Sequence, residues 1–313
     1  MSSSRIINTN SRSIPENTVT GILISLLSLS ILIPANLYAV TVTDDEGFSV
    51  TLDKPAERII SLAPYTTELL FAAGAGKKIV GAVRYSYYPE AAKKIPRVGD
   101  TNKLDLERIV SLEPDLIIAW KSNAAADTEI LRKMHVPIFV SEPPSLEAIA
   151  DTIINLGKLA GSEETARRAG KIFLDKLTAL KNKYSNKTPV VSTFYQFWND
   201  PIYTINGDHV ISDVIQLCGG RNVFADMPIL SAQVSLEAVI STNPEAIIAS
   251  GVDATRPAWL NDWNKWPELT AVKNHHIYYI PPDLIQRQTP RILEGATMMC
   301  GYLDEARNEA TNY

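Results

Sequence analysis

LERIVSLEPDLIIA at Leu106–Ala119 and LEAVISTNPEAIIA at Leu236–Ala249 align without a gap, always 130 residues apart. In each copy, apolar residues at helical spacing run up to a proline, an acidic residue follows it, and a short apolar run comes next. Proline cannot continue a helix, and four or five apolar residues bounded by such a breaker suit a strand covered on both faces. Each copy therefore reads as helix, proline, acid, buried strand. A looser match relates Glu68–Gly74 to Asp213–Gly219, in the same order along the chain. Two ordered matches predict two similar lobes facing each other across a cleft, with the generic likeness of αβ junctions as the alternative.

The remaining sequence extends this pattern in both directions. Val40–Thr43 and Phe48–Leu52 alternate apolar and polar residues around Asp44-Asp45-Glu46-Gly47, a hairpin signal. Arg58–Leu62 reads as a buried strand, Thr66 or Thr67 as the cap of a helix Glu68–Ala73, and Gly74 and Gly76 as its end before a strand at Ile79–Val83. Asp105 caps the repeat helix, and a helix near Ala126–Met134 precedes the strand Pro137–Val140. Residues 40–160 thus form a first α/β lobe with a parallel sheet. Ser145 caps one long helix, and Ser162 caps a second through Tyr184 that would run roughly 33 Å. With no Gly/Ser-rich or Pro-rich linker nearby, residues 161–188 are expected to act as a stiff connecting helix that keeps lobe closure small. The second lobe, residues 189–313, begins at the strand Pro189–Tyr195.

The first 39 residues read as a cleaved export signal: Arg5 and Arg12 precede the uncharged run Gly21–Ile33, Pro34 breaks it, and Leu37-Tyr38-Ala39 offers a small residue at the cut. An uncleaved anchor is the alternative, but the run is short for a membrane span. No cysteine follows it, so no lipid anchor is expected, and the mature chain belongs in an oxidising compartment. Its charge is slightly acidic, −5 for the whole chain and about −6 after the cut. No Lys/Arg run tracks a phosphate backbone, which argues against nucleic-acid binding. Two cysteines and four histidines exclude a four-thiolate metal site and leave little for a histidine cage, so no metal site is expected.

Catalytic patterns are thin. There is no Gly-x-Ser-x-Gly elbow, His-Glu-x-x-His helix or phosphate-binding glycine loop. Gly74-Ala75-Gly76 reads as a helix end, and His275-His276 as a solvated pair. Trp259, Trp263 and Trp266 fall at i, i+4 and i+7, a helix packing face. Ligands in open α/β sheets bind at the carboxyl ends of strands. Those positions carry Pro64-Tyr65, Arg84-Tyr85, Trp120, Gln196-Phe197-Trp198 and Asp283–Gln288, an aromatic and amide lining suited to a large, flat, mostly neutral ligand. Glu107 and Glu237 are equivalent residues of the repeat, each in the first turn of its helix. They read either as partners of the helix dipole or as paired anchors for a protein carrying arginines.

From Arg58 to Asp304 the chain resembles the periplasmic substrate-binding proteins of ABC importers for iron complexes and cobalamin, most closely the cobalamin-binding branch. The segments that carry this are Arg58–Pro64 with Thr67-Glu68-Leu69, Tyr85–Pro89, Leu106–Trp120, Leu217–Phe224, Val234–Glu237, and Asp283 through Ile292. The resemblance implies a helical-backbone metal-chelate receptor fold: α/β, two similar βα lobes with parallel sheets joined by one long rigid helix. It implies no enzyme activity and no cofactor. Its ligand would be cobalamin or a related corrinoid, held by Tyr85 and by Asp283, Leu284, Ile285, Gln286 and Arg287, with Pro64, Tyr65 and Trp198 as further cleft residues. Haem or a ferric siderophore on the same fold is the alternative, and an exported hydrolase is the reading from another class. The resemblance also implies a periplasmic monomer whose Glu107 and Glu237 dock on the importer's permease subunits in the inner membrane. It further implies a Cys218–Cys300 disulfide, which would stabilise by roughly 4.5 kcal/mol in the chain-entropy model. The chain departs from the branch at Thr101, Ser231 and Leu284, where cleft tryptophans are expected; Trp120, Trp198 and Tyr65 are the aromatics at hand to replace them.

Overall fold

In a computed structural model that describes residues 39–310 apart from 124 and 253, the two repeats adopt the same local structure. The expected export signal, residues 1–39, lies outside the described residues except for Ala39. The hairpin β1 (Val40–Thr43) and β2 (Ser49–Leu52) leads into β3 (Ile59–Ser61), α1 (Pro64–Ala72), β4 (Ile79–Ala82), α2 (Leu106–Ser111), β5 (Leu116–Trp120), α3 (Ala125–Lys133) and β6 (Ile138–Ser141). The helices α4 (Leu146–Leu159) and α5 (Glu163–Tyr184) follow. Beyond them come β7 (Val191–Gln196), β8 (Trp198–Asn199), β9 (Ile202–Ile205), α6 (Val210–Leu217), β10 (Gly220–Asn222), β11 (Ser231–Gln233), α7 (Leu236–Thr242), β12 (Ala246–Ala249), α8 (Thr270–Lys273), β13 (Ile277–Tyr279), α9 (Pro282–Ile285) and α10 (Ile292–Ala310).

The repeat is visible in detail. Asp105 and Ser235 cap α2 and α7 by accepting the N–H three residues on, and Glu113 and Asn243, equivalent positions, are both left-handed. The acid after the proline pins the neighbouring strand. Asp115 accepts the N–H groups of Glu57 and Arg58 at 2.8 Å, ahead of β3. Glu245 accepts the Ser192 N–H and hydroxyl at 2.7 and 2.8 Å, at the start of β7. The resulting sheets share one order, β4-β3-β5-β6 and β10-β7-β12-β13, and every pairing within them is parallel.

Side-chain alternation then sorts the core. Ile59, Leu116, Ile118, Tyr195, Ala246 and Ile248 join one large cluster that also takes in α4, α5, α6 and α10. Ile60, Ile117 and Ala119 turn to a cluster private to the first lobe, and Phe194, Ile247 and Ala249 to one private to the second. The two lobes therefore share a core through the long helices. Close approach of α4 and α5 needs Gly157, where a Cβ would lie 2.2 Å from that of Ala166.

Several local expectations are corrected. Helix α1 starts four residues earlier than expected, with Pro64 in its first turn. Thr66 and Thr67 instead bond Ser61 Oγ at 2.7 and 2.8 Å and secure the turn leaving β3. Ser162 precedes α5 but donates its hydroxyl to the Ala73 carbonyl at 2.6 Å, a tertiary tie in place of a cap. Trp259 and Trp263 fall in a 3₁₀ helix, Ala258–Lys265, and Trp266 just after it, so the i, i+4, i+7 spacing does not define one α-helical face. His276 is buried, not solvated. The antiparallel sheet β11-β9-β8 was not expected at all.

Cys218, at the end of α6, is bonded to Cys300 in α10, 82 residues away. Replacing both cysteines with serine is expected to lower the unfolding free energy by roughly 4 kcal/mol, measured by urea denaturation.

Candidate functional site

The carboxyl ends of the first-lobe strands open onto a cavity of about 560 Å³. Pro64 and Tyr65 stand at the start of α1 after β3, Tyr85 after β4, Trp120 and Ser122 at and after the end of β5, and Glu142 after β6. The facing wall comes from the second lobe. Asp283, Gln286 and Arg287 enter from α9 and the turn after it, joined by His209, Ser231 and Val252.

Six of the sequence-predicted contact residues meet here: Pro64, Tyr65, Tyr85, Asp283, Gln286 and Arg287. Tyr85 is 55% exposed and sits at φ 68, a conformation costing a non-glycine residue about 1 kcal/mol or more. Its ring meets Tyr87 edge-on at 5.9 Å. Tyr65 is nearly buried, donates its hydroxyl to the Ser141 carbonyl at 2.6 Å and meets Trp120 edge-on. Burial pushes its phenol well above the ordinary value, so it remains a neutral wall. The Gln286 amide donates to Ser250 Oγ and the Gly251 carbonyl, which orients its side chain.

The other three lie elsewhere. Ile285 is fully buried in the shared core, and Leu284 packs against that core. The Leu284 carbonyl faces Gly295, where a Cβ would come within 2.3 Å. Trp198 is in β8, its indole donating to the Asp200 carbonyl. It does not line the cavity, so of the proposed replacement aromatics only Trp120 and Tyr65 are present there. Thr101 and Ser231 do line it.

Sequence reasoning missed Glu68, Arg291, Glu142 and His209. The Glu68 side chain is 2% exposed and takes bonds of 2.8, 2.9 and 2.8 Å from Arg287 and Arg291 of the second lobe. A carboxylate inside the apolar pattern of α1 was the available signal. Arg287, expected to face a ligand, is thus held by Glu68 and by Asp283 at 2.7 Å. Glu142 has its carboxyl raised by burial, against the opposing pull of Lys121 and a hydrogen bond with Trp120. Burial pushes the His209 imidazole down to about 4.

Glu107 and Glu237 are both exposed in the first turns of α2 and α7, and neither has an ion-pair partner among the described residues. The Glu237 carboxyl is lowered by its own backbone N–H and by Ser235.

His209 stays neutral in the fold below the pH at which the unfolded chain takes up a proton. Stability contributed by this residue is therefore complete above about pH 6.5 and is lost as the pH falls toward 4. His209→Asn keeps a capping side chain for α6 without a titrating ring. Between pH 7 and 4 the wild type is expected to lose up to roughly 3 kcal/mol more than this variant, read from urea melts at each pH.

The family model described as "Periplasmic binding protein" matches residues 59–284. A vitamin B12-binding protein of Vibrio parahaemolyticus is 38% identical over 261 residues, 82% of this chain and 93% of that protein. The crystal structure of a periplasmic vitamin B12 binding protein from Vibrio cholerae superposes with a TM-score of 0.74 at 36% identity, covering 80% of this chain and 98% of that one. A periplasmic heme-binding protein from Roseiflexus, 23% identical, shares the fold at a TM-score of 0.70 over 80% of this chain and 99% of its own. With two like-ordered parallel sheets, a spar of long helices and a cavity at the strand ends, the chain belongs to the periplasmic binding protein family.

Proposed function

We propose that this chain captures cobalamin or a related corrinoid in the inter-lobe cavity and delivers it to an ABC importer, catalysing no reaction itself. The carrying observation is the conjunction of that cavity with relatives named vitamin B12-binding proteins along most of their length. In this reading residues 1–39 are a cleaved export signal, 40–160 and 189–313 are the lobes, and 161–188 connect them. The protein then works as a periplasmic monomer without a lipid anchor.

The cavity chemistry supports a neutral ligand. Its guanidinium, Arg287, is occupied by Glu68 and Asp283, and Arg84 and Arg256 are not among the lining residues. That disfavours haem and the catecholate or carboxylate ferric siderophores, whose anionic groups call for free cations. A hydrolase would need a nucleophile held by a base, and among the described residues no hydroxyl bonds His209, whose Nδ1 is taken by the Ile211 N–H.

Residues 40–313 titrated with cyanocobalamin, cobinamide, haemin and a ferric siderophore are expected to bind the corrinoids and not the others. Absence of corrinoid binding below about 10 μM, roughly −7 kcal/mol, would overturn the reading.

Glu107 and Glu237 are proposed as the permease contacts, one carboxylate from each lobe, matched to arginines on a two-fold partner. Glu107→Ala with Glu237→Ala is expected to leave corrinoid affinity unchanged and abolish uptake in cells. Persisting uptake would reduce both residues to helix-end charges.

A further inference from the structure

Two polar side chains of the cavity wall make no bond from one lobe to the other among the described residues. Glu142 follows β6 in the first lobe, and His209 precedes α6 in the second. We propose that they form an acceptor and donor pair, one from each lobe, that recognises a primary amide on the rim of a bound corrinoid and rejects a carboxylate in its place. This rests on the corrinoid reading and adds to it the residues that determine specificity.

The hydrogen bonding of His209 decides its role. Its Nδ1 accepts the Ile211 N–H at 3.1 Å, so the proton of the neutral ring is on Nε2. Nε2 has no hydrogen-bond partner among the described residues, and the residue lines the cavity. The ring therefore presents a donor. Metal ligation through Nε2 would require moving that proton to Nδ1 and giving up the cap, which argues against a role as an axial ligand.

Glu142 is the complement. Its carboxylate is half-buried, has no ion-pair partner among the described residues, and is steadied by a hydrogen bond with Trp120. Ionised, it can only accept. A primary amide offers both a carbonyl for His209 and an N–H for Glu142. A carboxylate offers no proton, places like charges together, and finds no free cation, because Arg287 is already bonded to Glu68 and Asp283. The charged groups acting on Glu142 from outside the cavity, Lys121 and Glu46, oppose each other in sign.

The test uses cyanocobalamin and its monocarboxylic acid derivatives, each with one rim amide hydrolysed, titrated at pH 7 into residues 40–313. The wild type is expected to bind cyanocobalamin and at least one of the acids about tenfold more weakly or worse; Glu142→Gln should shrink that penalty to about threefold or less. His209→Asn should weaken cyanocobalamin by about fivefold or more. Thermal melts of both variants confirm that they fold, and His209→Gln provides a second replacement if the first is unstable. If every acid binds the wild type as tightly as cyanocobalamin, or if the penalty is unchanged in Glu142→Gln, the pairing is wrong while the corrinoid reading stands. If no corrinoid binds at all, both fall together.

Discussion

The cleft depends on a carboxylate that solvent does not reach. Glu68 projects from the first lobe into the α9–α10 corner of the second, where Arg287 and Arg291 together occupy both of its oxygens. A lone carboxylate in that position would cost several kcal/mol, and removing one partner of such a group typically costs about 3–5 kcal/mol. The geometry of the cavity wall follows from this contact. Arg291 also lies 4.0 Å over the ring of Tyr88, which holds the loop bearing Tyr85. Ser86 in that loop accepts the Thr67 hydroxyl, and Thr67 in turn bonds Ser61 at the end of β3. The loop carrying the unfavourable backbone of Tyr85 is thus held on one side by Thr67 of α1 and on the other by Arg291 of the second lobe.

Behind the cleft, the shared core imposes a second restriction. Apolar side chains from both sheets meet α4, α5, α6 and α10 in one continuous cluster, so the lobes cannot rotate apart without disturbing close-packed helices. Lys181 in α5 bonds Glu147 in α4, and Ser162 is tied to the end of α1. Motion consistent with such a frame is flexing of α5 and rearrangement at the Glu68 corner, not a hinge on loose strands.

How much of this was legible in the sequence follows the length scale of the signal. The repeat helices, their caps Asp105 and Ser235, the prolines and the buried strands were readable because each depends on neighbours within about a turn or a strand. The start of α1 was misplaced because Thr66 and Thr67 resemble caps locally, while their hydroxyls are used by Ser61. Ser162 was misread for the same reason, its partner lying 89 residues away. In the site, the aromatic and amide wall is visible as strand-end residues, but nothing in the sequence marks Asp283–Arg287 as divided between two faces. It is a helical turn, so Ile285 and Leu284 face the core while Asp283, Gln286 and Arg287 reach the cavity. His209 was invisible because its position depends on α6 beginning at Val210 and on a sheet, β11-β9-β8, that the pattern did not reveal.

These facts together change what the charges of the cleft mean. In the sequence, Arg287 and Asp283 read as two charges within an otherwise aromatic and amide lining. In the fold, Asp283 and Glu68 both pair with the guanidinium, and the cavity-lining carboxylate without an ion-pair partner among the described residues is Glu142. An uncompensated anion in a partly desolvated cavity repels others more strongly than it would in water, and the rest of the lining includes aromatic faces, amides and hydroxyls. Arg287, expected to contact a ligand, instead joins Arg291 in holding the lobes together through Glu68.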